Sequence, residues 1–107
     1  MLPSSGDRSR TPAYLEEVQR LAGQGPISCK VSRAALRGAA ALGLLYENVV
    51  ESVLLLEPGD FYKTMPSEQV PGSWQDVYRS AYRGLHLYIK LQINATGLAV
   101  VIQFKER

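Results

Sequence analysis

The chain has one cysteine, one histidine and one tryptophan in 107 residues, and a formal charge of only +2 at pH 7. A lone cysteine, Cys29, excludes an internal disulfide and any zinc site built from several thiolates. A lone histidine, His86, would force a protein-only metal centre to rely on carboxylates. The Asp and Glu residues from Glu57 onward show no familiar ligand spacing, so neither metal nor cofactor is expected. No apolar run is long enough to span a bilayer, and the N-terminus does not read as a secretory signal. A soluble, cytoplasmic protein without membrane association is expected. Glycines are scattered and form no phosphate-cradling loop, which argues against nucleotide-cofactor chemistry. No serine is placed by spacing beside a base that would activate it. The small positive charge permits a local anion site without announcing one. Asn94-Ala95-Thr96 matches the glycosylation pattern but reads as a turn in a chain with no secretory signal.

What is present is an ordinary globular composition, 46% apolar and 21% charged, and enough chain for one core. Residues 1–10 form a polar tail expected to be disordered, and residues 11–107 one domain. Thr11-Pro12 reads as a helix start, with Leu15, Val18, Leu21 and Ala22 as the apolar stripe and Gly23 as the stop. Ile27 to Val31 is a short extended piece. Ser32 is placed to cap an alanine-rich helix that ends at Gly43. A third helix is expected from about Tyr46 to Leu56, burying Val49, Val50, Val53 and Leu54. After Glu57-Pro58-Gly59 the period changes from 3.6 to two, giving strands at Phe61–Met65 and Trp74–Arg79. Trp74, of opposite parity to Gln75, is expected in the core.

The strongest strand signal is the final hairpin, Leu85–Ile93 and Leu98–Lys105. Leu85, Leu87, Ile89, Leu91 and Ile93 define a core side, matched by Leu98, Val100, Ile102 and Phe104. His86, Tyr88, Lys90 and Gln92 lie opposite, with Gln103 and Lys105. The junction leaves two registers open. A turn at Ala95-Thr96 sets Tyr88 against Gln103, and a turn at Thr96-Gly97 sets Tyr88 against Lys105. Helices first and antiparallel strands second argue an α+β fold: N-terminal helices on one face of a mainly antiparallel sheet, the other face open.

The sheet half of the chain is rich in cations and phenols: Lys63, Arg79, Arg83, Lys90, Lys105 and Arg107 with Tyr62, Tyr78, Tyr82 and Tyr88. Such a set suits a phosphodiester, since cations neutralise phosphate oxygens and phenols stack on bases or move protons. It equally suits a face that is merely solvated, and the residues alone leave both readings open.

Several segments, taken together, resemble the MqsR family, the motility quorum-sensing regulator toxins of bacterial type II toxin–antitoxin systems. They are Asp60-Phe61-Tyr62-Lys63 with Met65, Trp74-Gln75-Asp76-Val77-Tyr78-Arg79, Tyr88-Ile89-Lys90 and Phe104-Lys105-Glu106. Thr11-Pro12, Ser32-Arg33-Ala34 and Leu42-Gly43-Leu44 extend the resemblance over almost the whole chain after Arg10. Two departures stand out: the hairpin turn looks about two residues longer, and His86 stands where an amide is expected. The resemblance implies a RelE-like fold and an endoribonuclease, an mRNA interferase that prefers GCU-containing sites and is neutralised by a cognate MqsA-like antitoxin. It implies catalytic roles for Lys63, Gln75, Tyr88 and Lys105.

Metal-independent attack of the ribose 2′-OH on the adjacent phosphorus fits these residues. Lys63 and Lys105 would stabilise phosphorane charge, Tyr88 would handle a proton, and Gln75 would orient the phosphate or a hydroxyl. His86, one pleat from Tyr88, is a second group for proton transfer. Arg79, Arg83, Met65 and Lys90 are expected to contact RNA. The alternatives are a non-catalytic RNA- or partner-binding module on the same fold, and a structural protein whose sheet edge pairs with another chain.

Overall fold

Three helices lie on one face of a five-stranded sheet in the computed structural model, which describes residues 15–67 and 70–107. The tail at 1–10 and the helix start at Thr11-Pro12 fall outside the described residues. In chain order the elements are α1 (Leu15–Ala22), β1 (Cys29–Val31), α2 (Arg33–Ala41), α3 (Tyr46–Leu54), a 3₁₀ turn (Pro58–Asp60), β2 (Phe61–Pro66), β3 (Trp74–Tyr82), β4 (Leu85–Ile93) and β5 (Ala99–Glu106). The strand order is β1-β5-β4-β3-β2; only the β1–β5 pairing is parallel. The α+β expectation therefore holds.

The core is where the helix stripes meet the sheet. Val18 and Leu21 of α1, Ala35 and Ala39 of α2, and Val49 and Val53 of α3 pack with Tyr78, Leu87, Ile89, Leu91, Val101 and Phe104. In α3 the buried set is Val49, Ser52 and Val53, continued by Leu56. Leu54, expected inside, is 44% exposed, because the stripe at positions 49, 52, 53 and 56 follows helical spacing and 54 falls off it. Trp74 is on the helix side of β3 but only half-buried at the strand's start, outside the core cluster.

Two close approaches fix α2. Ser32 Oγ accepts from the Ala35 amide at 3.0 Å and donates to the Ile102 carbonyl at 2.7 Å, so the helix cap is also a tie to β5. At Gly38 the helix lies against β5 so closely that a Cβ there would sit 1.7 Å from the Phe104 carbonyl oxygen.

The hairpin follows neither sequence-derived register throughout. Asn94 Oδ1 accepts from the amides of Thr96 and Leu98, and Gly97 adopts φ +83°, which makes a longer turn that starts the pairing at Ile93↔Ala99. The buried residues of early β5 are consequently Ala99 and Val101, not Leu98, Val100 and Ile102. A bulge then skips Ile102: Leu91 pairs with Val101 and Lys90 with Gln103. Beyond it Phe104 is buried, as the alternation requires, and Tyr88 pairs with Lys105.

Candidate active site

A second bulge lies on the opposite flank, where Phe61 pairs with Tyr78 and Lys63 with Val77, leaving Tyr62 as the extra residue. Phe61 turns inward and meets Tyr78 edge-on at 5.7 Å. Tyr62 and Lys63 both serve the open face, with Lys63 Nζ 5.5 Å from the Tyr62 ring centre. Bulges re-aim side chains, and here one sits in each strand flanking the β3–β4 pair.

Between them the open face carries cross-strand rows. Arg79, Tyr88 and Lys105 form one row, Val77, Lys90 and Gln103 the next, with Lys63 beside Val77. Tyr88 is thus flanked by a guanidinium strand on one side and an ammonium on the other. Lys105 Nζ stands 5.0 Å from the Tyr88 ring centre, and the Arg79 guanidinium stacks 4.3 Å over Tyr62. These side chains line an open cleft of about 400 Å³, together with Glu106 and Arg107. A neighbouring hollow is lined by Arg79, His86 and Arg107, whose backbone amide donates to the His86 carbonyl at 2.8 Å.

The structure thus brings together Lys63, Tyr88, Lys105 and Arg79, and puts His86 at the cleft's border. Met65 and Gln75 pair two rows away, and Lys90 lies half-buried in the row between. Gln75 is only 4% exposed and its Nε2 donates to Gln92 Oε1 at 3.0 Å, so it does not line the cleft. Arg83 is elsewhere. It occupies the β3–β4 turn at φ +51°, and its guanidinium faces Glu51 of α3 at 3.4 Å. Tyr78 and Tyr82 belong to the helix side; Tyr82 donates to the Glu51 carboxylate. Burial raises both phenols' pKa values, Tyr78 most, with the Asp76 carboxylate adding to the effect there and the Glu51 hydrogen bond at Tyr82.

Arg107 and Tyr62, members of the cation and phenol set in the sequence but assigned no role there, join the cleft. Tyr62 shares strand parity with no other site residue; only its bulge brings it round. Among the described residues no three His, Cys, Asp or Glu side chains converge as metal ligands.

This is a cation-rich, phenol-centred concavity suited to binding and polarising a phosphodiester. Comparison with known proteins agrees in kind. The model of the family described as "Motility quorum-sensing regulator, toxin of MqsA" matches residues 11–106. The chain belongs to the MqsR toxin family. It is 32% identical over 99 residues to the mRNA interferase toxin MqsR of Escherichia coli (strain K12), covering 92% of this chain and 97% of that protein. The MqsR match spans all nine elements and every cleft residue except Arg107.

Proposed function

We propose that this MqsR-family toxin is an endoribonuclease, an mRNA interferase, and that the Tyr88–Lys105 cleft is where it cuts. The observation that carries the reading is the direct pairing of Tyr88 with Lys105 beside Arg79 and Lys63 in one cleft, in a chain 32% identical to an mRNA interferase toxin.

Cleavage forms a bond from the ribose 2′ oxygen to phosphorus and breaks the bond to the 5′ oxygen. The products are a 2′,3′-cyclic phosphate and a 5′-OH. The 2′-OH loses a proton and the 5′ oxygen gains one. Tyr88, paired between Arg79 and Lys105 in the cleft, is assigned to proton transfer. Lys63, Lys105 and Arg79 surround the phosphate and stabilise the charge that grows on its oxygens. His86 and Arg107, on the bordering hollow, hold the flanking backbone. Tyr62, 48% exposed and already stacked by Arg79, offers a ring face to a base. The antitoxin partner is of the MqsA kind, and the site of action is the cytoplasm, where message is found.

Purified protein is incubated in EDTA with short RNAs containing or lacking GCU, and the new ends are identified. Wild type is expected to leave cyclic-phosphate ends. Tyr88→Phe, which keeps the ring and removes the proton, should cut about 10²–10⁴-fold more slowly. Lys63→Ala should lose about 10²–10³-fold. Folded wild type that binds RNA and leaves no new ends would make this a binding module.

A further inference from the structure

We propose that the open sheet face also carries a pocket for one nucleobase of the RNA, read by the side-chain amide of Gln92. The inference rests on the nuclease reading and names a specificity site for it.

A hollow of about 440 Å³ lies beyond the Lys90 row, lined by Ser32, Ala34, Gln92, Asn94, Val100 and Ile102. Gln92 pairs with Val100 across β4–β5, so both side chains share the face of Tyr88 and Lys90. Its walls are mainly apolar, and no cation among the described residues lines it, so it does not suit a phosphate. Gln92, only 4% exposed, is one of the polar side chains in its lining. Gln75 Nε2 donates to Gln92 Oε1 at 3.0 Å, which orients the Gln92 amide and leaves its Nε2 to serve the hollow as a donor. A ligand that accepts from that donor inside a mainly apolar hollow gains a hydrogen bond shielded from water. A nucleobase has both features the pocket asks for: flat apolar faces and an edge bearing carbonyl oxygens or ring nitrogens.

The position also fits a continuous RNA path. Along β4 the side chains of Tyr88, Lys90 and Gln92 recur about every 7 Å, so the pocket is about 13 Å from the cleft. A strand with its scissile phosphate at Tyr88 and Lys105 passes the Lys90 ammonium and arrives with a base over Gln92. Gln75 is then a positioning residue. It touches no RNA in the cleft and acts by aiming the Gln92 amide.

The test is cleavage of a randomised RNA pool by the full chain, sequencing the new ends, with thermal melts to confirm folding. In Gln92→Ala the preference at one position near the cut should fall by on the order of tenfold, other positions keeping their profile. Gln75→Ala should blur the same position. Ala34→Phe, at an exposed helix position, should narrow the pocket and shift that position against purines without threatening the fold. If Gln92→Ala does not fold, Ala34→Phe decides. Folded variants that cut with the wild-type profile at every position would overturn the pocket while leaving the nuclease intact. A wild type that leaves no ends in any RNA would remove the nuclease reading and the pocket with it.

Discussion

Tyr78 shows what a single buried hydroxyl does. The ring is fully buried against Phe61, and its oxygen has no hydrogen-bond partner among the described residues. A buried hydroxyl left unpaired costs about 1–3 kcal/mol relative to its hydrated state. Tyr78→Phe is therefore expected to hold or raise stability, by about 1 kcal/mol, with cleavage unchanged because the side chain faces away from the cleft. Urea titration checks this; a loss above about 1 kcal/mol would mean the hydroxyl is paired. Parity alone separates this tyrosine from Tyr88: both are strand phenols, yet one faces helices and the other solvent. The alternation in β4 was readable residue by residue, and Tyr88 and His86 lie where it put them. Gln75 was readable as lying on the open face but not as buried, because its burial depends on Gln92 from another strand.

At the scale of elements, α2 and β5 act as a unit. Ser32 ties the helix start to the bulge at Ile102, and Gly38 allows contact with the Phe104 carbonyl. Gly38→Ala should force the two apart and cost roughly 2 kcal/mol, lowering Tm by about 10 °C. Because β5 carries Lys105, the same variant should cut more slowly even where it is folded. A calorimetric Tm within about 2 °C of wild type would show that the approach is looser than described. Ser32→Ala removes both the cap and the tie, with an expected loss of about 1–2 kcal/mol in the same melts. The cap itself was legible in Ser32 followed by an alanine-rich run. The second role was not, since the bulge it holds lies 70 residues on.

For the whole molecule the ionisable groups with raised pKa values set an alkaline limit. Burial raises the Cys29 thiol above its ordinary 9.0, and raises Tyr46, Tyr78 and Tyr82 above their ordinary 10.0. Each group is harder to ionise folded than unfolded. The stability this contributes is complete below the unfolded values and is lost as pH rises through them. Tm should thus hold through neutral pH and fall above about pH 9, where the thiol and then the phenols begin to ionise in the unfolded chain. Tyr78→Phe should make the fall shallower. A flat Tm to pH 11 would show that these groups ionise alike in both states.

The sequence by itself determined the element types, the α+β order, the Ser32 cap and which face of β4 is polar, because these depend on neighbours within a few positions. It also carried the family, through short runs of residues spread over the chain. Tertiary structure alone decided that Tyr88 meets Lys105, that Tyr62 joins the cleft, that Ala99 and Val101 take the core places expected for Val100 and Ile102, and that Arg83 turns to Glu51. The reason is the two bulges and the turn at Asn94, which shift side-chain parity beyond them; the bulges form only against a partner strand, and the one at Ile102 is also tied to Ser32, 70 residues away.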